Sequence, residues 1–200
     1  MESGTRGRPY NQVARAAAQQ RTRDALLDAA EAEFFGGGWE QASLEAMAAT
    51  AGVTKQTLLR HFVSKDGLLE QAVLRGYTRV RDQRWAAPVD DVAGAVDNLL
   101  DHYEDMGERA MRMSSLDGRG DAIAEVGLRA RKLHYNWVEH AFGRRLDGLG
   151  SEPRARCRAA LIALCDVQSW WLLSHDLGLT RAEVRATLVQ AIERLTEEQT

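Results

Sequence analysis

The 200-residue chain predicts an all-α fold of about nine helices. Three observations carry that expectation. No segment alternates apolar and polar residues for long, as a half-buried strand would. β-Branched residues are sparse, and apolar residues recur at spacings of three and four along most of the length. An apolar share of 44% is enough to build a substantial core, and the length suits one or two domains.

Residues 1–21 are polar, with Gly7 and Pro9 among arginines, and read as a flexible basic arm. A first helix starts at Thr22, an N-cap with Asp24 near the positive helix end, and buries Leu27, Ala30 and Phe34. Gly36-Gly37-Gly38 closes it. A second helix opens on Ser43 as N-cap and buries Leu44, Met47, Ala48 and Ala51. Gly52-Val53 turns the chain, Thr54 caps a third helix, and Leu58 and Phe62, four apart, point inward. Ser64 caps a fourth helix, about 65–84, through Leu68, Leu69, Ala72, Val73 and Val80.

Trp85-Ala86-Ala87-Pro88 is the sharpest break in the chain. Beyond it a helix runs from Val89 to about Gly107, with a short one near Glu108–Ser115. A turn at Gly118-Arg119-Gly120 leads to a longer helix over about Asp121–Phe142, then to a turn at Gly148–Gly150. Ser151 caps a helix reaching about Asp176. Thr180-Arg181-Ala182-Glu183 has the spacing of a capping box in front of the last helix, whose stripe is Val184, Leu188, Ile192 and Leu195.

The formal charge of −3 argues against a chain that binds nucleic acid through overall basicity. Its distribution reverses that. Arg6, Arg8, Arg15, Arg21 and Arg23 face only Glu2 within the first 23 residues. The positive charge is local, with an acidic remainder, as suits one basic face. Cys157 and Cys165, eight apart on a helix, stand about 12 Å apart along it. That exceeds the roughly 7 Å a disulfide spans, so a reducing cytoplasm is expected. The N-terminus lacks the apolar segment of a signal peptide, and no apolar run approaches the about 18 residues of a membrane helix. A cytoplasmic protein with no membrane partner is expected.

The stretch TKQTLLRHFVSK, residues 54–65, holds no acid at all. Two short helices joined by a Gly-containing turn form a helix-turn-helix, whose second helix enters the major groove of DNA. Ala48 is small enough for close helix approach, Gly52 permits a positive φ, and Val53 and Leu58 seal the small core. The remaining side chains of the third helix then point away from the domain. Lys55, Gln56 and Arg60 carry donors that read base edges; Thr57, His61 and Lys65 suit phosphate oxygens. A plain solvated polar face is the alternative.

The run LLDAAEAEFFGGGWEQASLEAMAATAGVTKQTLLRHFVSKDGLL resembles the DNA-binding domain of the TetR/AcrR family of transcriptional repressors, over Thr22 to about Ala72. The resemblance implies an all-α homodimer on a palindromic operator, with a domain at 22–66 that binds DNA. It implies a ligand-binding and dimerising domain at 67–200, joined through the fourth helix. Base-contacting positions fall on Lys55, Gln56 and Arg60, and phosphate-contacting ones on Ser43, Thr57, His61 and Lys65; Thr54 stands beside them as the cap. Two residues depart from the pattern. Leu59 stands where a phosphate-bonding Tyr is common, so it touches a thymine methyl or merely packs. Glu45 replaces a basic reader found in some relatives.

Arg6-Gly7-Arg8-Pro9 resembles the core of an AT-hook, whose arginines lie in a narrow A·T minor groove. The arm either makes that contact or adds non-specific attraction. If the arm dominates, the chain is instead a ligand-independent, A·T-preferring architectural DNA binder.

The helix Ser151–Asp176 is apolar nearly all round from Ala159 to Leu173, so it is expected to be buried on two sides, one against a partner subunit. Leu161 and Leu164, with Val184, Leu188, Ile192 and Leu195, suit a four-helix bundle made by two protomers. Tyr103, Met106, Met111, Met113, Trp137, Trp170 and Trp171 either line a pocket for a largely apolar small molecule or form core. His134 joins the candidate lining. Asp166, polar within an apolar run, either anchors a cationic ligand, pairs with an arginine or faces solvent. His102 and His134 raise a metal, but no metal-binding spacing accompanies them, so neither metal nor cofactor is expected. Gly36-Gly37-Gly38 lacks the Gly-Lys-Ser/Thr of a phosphate loop and closes a helix, and no enzyme is expected.

Overall fold

The computed structural model describes the backbone of residues 8–114 and 121–197, and the side chains of 12–111 and 127–197. Among the described residues there are nine α-helices and no strand. They are α1 Arg8–Gly36, α2 Leu44–Thr50, α3 Lys55–Phe62, α4 Lys65–Trp85, α5 Val92–Ser114, α6 Asp121–Phe142, α7 Ser151–Leu164, α8 Val167–Trp171 and α9 Arg181–Glu197. A 3₁₀ turn, Gly143–Leu146, follows α6, and a π-type turn, Leu172–Asp176, extends α8. The chain divides into two compact units between Gly76 and Tyr77.

In the first unit, α1 buries Leu26, Leu27, Ala30 and Phe34, and Met47, Ala48, Leu58, Phe62, Leu68 and Leu69 are buried on α2, α3 and α4. Charge supports the same packing. Arg75 donates to Glu31 at 2.9 Å and to Asp28 at 2.6 Å, and Arg23 donates to Gln71 at 2.9 Å. The expected arm is shorter than the sequence suggests, because α1 starts at Arg8 rather than Thr22. Ala14 and Ala16–Ala18 among Gln and Arg are strong helix formers, and Pro9 sits in the first turn, where its missing N–H leaves nothing unsatisfied. Residues 12–21 are exposed, so propensity rather than burial sustains this extension.

The second unit is built around α5, with Ala95, Val96, Leu99 and Leu100 fully buried against Trp137, Val138, Phe142, Leu161, Leu188 and Ile192. A ladder of ion pairs ties α5 to α9: Arg181 to Asp101 and Glu104, and Arg185 through two nitrogens to Asp97, at 2.7 and 3.0 Å. The capping box of α9 forms, Thr180 N–H donating to Glu183 at 2.8 Å. Two boundaries differ from expectation. The helix from Val92 continues to Ser114 without a break near Gly107, where the glycine makes room for Trp170: a Cβ there would stand 2.3 Å from the indole. The expected long helix to Asp176 breaks after Leu164, where Asp166 caps α8 by accepting from Gln168 N–H at 2.9 Å.

Candidate functional site

The turn between α2 and α3 is set by its own sequence. Ser43 caps α2, its hydroxyl oxygen accepting from Ala46 N–H at 3.0 Å, and Thr54 caps α3 by accepting from Thr57 N–H at 3.3 Å. Gly52 takes φ +70°, and Val53 N–H closes back onto Ala48 C=O at 2.9 Å. A cap uses an oxygen lone pair, so each hydroxyl keeps a hydrogen to donate outward; Thr54 and Thr57 share theirs at 3.1 Å.

With Leu58 at 0% exposure and Phe62 at 4%, α3 is held from behind. Lys55, Gln56 and Arg60 are exposed together on its front, and Thr57, Leu59 and His61 are half-buried beside them. Thr54 is exposed at the start of the helix. This groups the residues that sequence reasoning selected into one convex surface. Two of the charges have partners. Lys55 Nζ donates to Glu45 Oε1 at 2.6 Å, and that bond holds the Glu45 carboxyl below the usual range. Lys65 is half-buried, donating to Trp39 C=O at 2.6 Å and Glu40 C=O at 3.3 Å, with its charge 5.0 Å from the Trp39 ring centroid. The Lys65 ammonium thus ties α4 to the segment before α2. Arg8 lies within helix α1 rather than an extended arm; its side chain and Arg6 lie outside the described residues.

The second unit scatters the expected pocket residues. A cavity of about 470 Å³ is lined by Tyr103, Glu104, Asp105, Glu108, Arg109, Trp170 and His175. Only Tyr103 and Trp170 of the expected lining face it, and its walls are largely polar rather than apolar. Met106 is buried, Trp171 stacks on His175 at 3.8 Å, and Asp166 is spent on the α8 cap. Met113 lies outside the described side chains. Trp137 is core at 0% exposure. His134 bonds the Ile162 carbonyl at 3.0 Å, and burial lowers its pKa.

The expected dimer stripe is also reassigned. Leu161, Val184, Leu188 and Ile192 are at most 1% exposed, consumed by their own protomer's core; only Leu164 and Leu195 keep partial exposure. An apolar stripe reports burial, not which surface does the burying.

Sequence reasoning passed over Arg84, taken as a helix end. It is 2% exposed, its guanidinium carbon 3.8 Å from the Trp137 ring centroid and 5.8 Å from that of Tyr103, and burial lowers its pKa. Nothing local in the sequence signals this. Burying a guanidinium without a carboxylate costs on the order of several kcal/mol. Both cysteines are free and buried, and burial pushes the Cys165 thiol up to about 12. Among the described residues no cluster of three His, Cys, Asp or Glu could hold a metal, and no helix is long and apolar enough to cross a membrane.

Residues 26–72 match the sequence profile described as bacterial regulatory proteins, tetR family. The HTH-type transcriptional regulator UidR of Escherichia coli and that of Shigella flexneri are each 29% identical over 133 residues, covering 64% of this chain. The match spans 66%, just under two thirds, of those relatives' length. Among solved structures, a protein from Mesorhizobium loti assigned to the TetR family superposes with a TM-score of 0.62 at 17% identity, over 88% of this chain and 96% of that one. A TetR-family regulator from Streptomyces coelicolor gives 0.52 at 19% identity, over 89% and 96%. The structural likenesses speak to the fold.

Proposed function

Since the chain belongs to the TetR family of bacterial transcriptional regulators, which are not enzymes, we propose that it is a ligand-responsive repressor. It binds a palindromic operator as a homodimer and leaves it when a small effector occupies the second unit. One observation carries the DNA half: Lys55, Gln56 and Arg60 are exposed side by side on α3 while Leu58 and Phe62 hold its back. Donors of that kind, fixed on a rigid helix, read major-groove edges.

Residues 22–66 supply the reading head, Ser43, Thr54, Thr57 and His61 add phosphate contacts, and 67–200 bind effector and partner subunit. Pairing uses what Leu164 and Leu195 leave uncovered, because the rest of the apolar stripe is spent internally. Two heads then read half-sites about 34 Å apart. The effector acts by binding better to a conformation whose heads are misplaced, and it shifts operator affinity only by that difference. The continuous helix α4, Lys65–Trp85, is the lever. An architectural A·T binder is less well supported, since Arg8 and Pro9 already belong to helix α1.

A footprint upstream of its own gene tests this reading, repeated with Arg60→Ala. One symmetric protected site whose base preference relaxes at a single position in the variant, by about 1–3 kcal/mol, supports it. Broad A·T coverage indifferent to Arg60 sinks it.

A further inference from the structure

Two N–H groups deep in the second unit have no hydrogen-bond partner among the described residues. Arg84 is 2% exposed and Trp137 0%, and neither Arg84 Nη1 nor Trp137 Nε1 has a hydrogen-bond partner. They are neighbours, the guanidinium carbon standing 3.8 Å from the Trp137 ring centroid. Buried donors are normally satisfied, so each such orphan asks what it faces when the protein is at work.

The surroundings narrow the answer. Among the described residues Arg84 makes no ion pair, although a guanidinium keeps its charge at any physiological pH. His134 takes one of its other donors: its Nδ1 lies 3.3 Å from Arg84 Nη2 while its Nε2 lies 3.0 Å from Ile162 C=O. A carbonyl can only accept, so the proton sits on Nε2 and Nδ1 accepts from Arg84. Tyr103 donates its own hydrogen to Cys165 C=O at 2.8 Å, while its oxygen accepts from Arg84. Its ring stands 5.8 Å from the guanidinium carbon and also lines the cavity of about 470 Å³. Among the described residues Nη1 and the indole N–H are left without partners, and no carboxylate pairs with the guanidinium. A water could satisfy the donors but not the charge.

We propose that Arg84 and Trp137 form a receptor for the carboxylate of a small organic acid. Two donors meet the two oxygens, and the anion neutralises the guanidinium. The effector is then an acid rather than a wholly apolar molecule. This rests on reading the second unit as the effector-responsive part, and it names the chemistry of that effector.

Phenylacetate and octanoate, with phenylacetamide and octanamide as their uncharged counterparts, are the probes. Calorimetric titration of the full chain is expected to show at least one acid binding about tenfold or more tighter than its amide. Trp137→Phe removes the N–H together with part of the indole ring and is expected to weaken that acid about fivefold. Arg84→Met erases the preference for acid over amide. If neither pair shows an acid preference in the parent, or Trp137→Phe binds the acid as the parent does, the proposal is overturned. The parent-only comparison stands even if Arg84→Met does not fold. Operator binding by the same parent sample, without any probe, separates the two levels: its absence defeats the regulator reading, while an acid preference is measured independently of DNA.

Discussion

Lys55 Nζ lies 2.6 Å from Glu45 Oε1, so the first residue of α3 is ion-paired to the second residue of α2 across the helix-turn-helix. Both side chains are well exposed, at 46% and 62%, so the pair contributes little to stability. Its consequence is for binding. If α3 docks on DNA as proposed, Lys55 is partly neutralised before it arrives, and a carboxylate rides beside it toward the phosphates. Glu45→Gln is therefore expected to raise affinity for operator and non-operator DNA alike. It should also steepen the slope of log K against log salt by up to about one. Gel shifts across a salt series measure both. Unchanged affinity would mean that Lys55 never reaches DNA.

Lys65 invites the opposite experiment. Its ammonium is bonded to the carbonyls of Trp39 and Glu40, and removing a charged donor from half-buried acceptors costs about 1.5–3 kcal/mol. Lys65→Met is expected to lower the urea midpoint of the full chain by that order. A mutant that unfolds like the parent yet loses about one from its salt slope would instead make Lys65 a phosphate ligand.

These two lysines show how far the sequence reaches. The caps at Ser43, Thr54 and Thr180, and the inward pair Leu58 and Phe62, were legible because each is decided within one turn by neighbours three or four residues away. The extent of α1 was not, because charged and alanine-rich residues look alike in an arm and in an exposed helix. Asp166 read as an anchor or a surface residue, since an apolar run does not announce where its helix breaks. The roles of Lys65 and Arg84 depend on partners far along the chain, Trp39 for one and Tyr103 and Trp137 for the other. The apolar stripe Val184, Leu188 and Ile192 is buried in the chain's own core, a role its sequence did not separate from a subunit interface, because a partner subunit and the chain's own core demand the same side chains.

Val63, between α3 and α4, supplies a stability prediction. Its φ of 65° and ψ of −45° form a tight γ-turn in which Ser64 N–H donates to Phe62 C=O at 2.7 Å. A β-branched residue is strained there, by about 1–3 kcal/mol, and at 83% exposure its side chain buries almost nothing in return. Glycine relieves the strain, against an entropic cost of roughly 0.5–1 kcal/mol. Val63→Gly is expected to stabilise the chain by about 1 kcal/mol, read as a raised urea midpoint at unchanged slope. A lower midpoint would show that the turn is not strained.

His102 makes the second unit acid-sensitive in a defined direction. Burial first, then the charges of Arg84 and His134, hold its imidazole down to about 3, against 6.5 for a free histidine. Between those values the unfolded chain binds the proton and the folded chain does not, so stability rises with pH. The contribution is complete above about 6.5 and is lost as pH falls toward 3, with a slope of at most about 1.4 kcal/mol per pH unit. His134, shifted the same way mainly by burial, adds to it. His102→Gln removes one of the two titrations without introducing a charge. Urea unfolding at pH 7.5 and at pH 5 should show the parent losing about 1–2 kcal/mol more than the variant. Equal losses in both proteins would place the protonation elsewhere, and would mean that the ring beside Arg84 is wet enough to take a proton without unfolding.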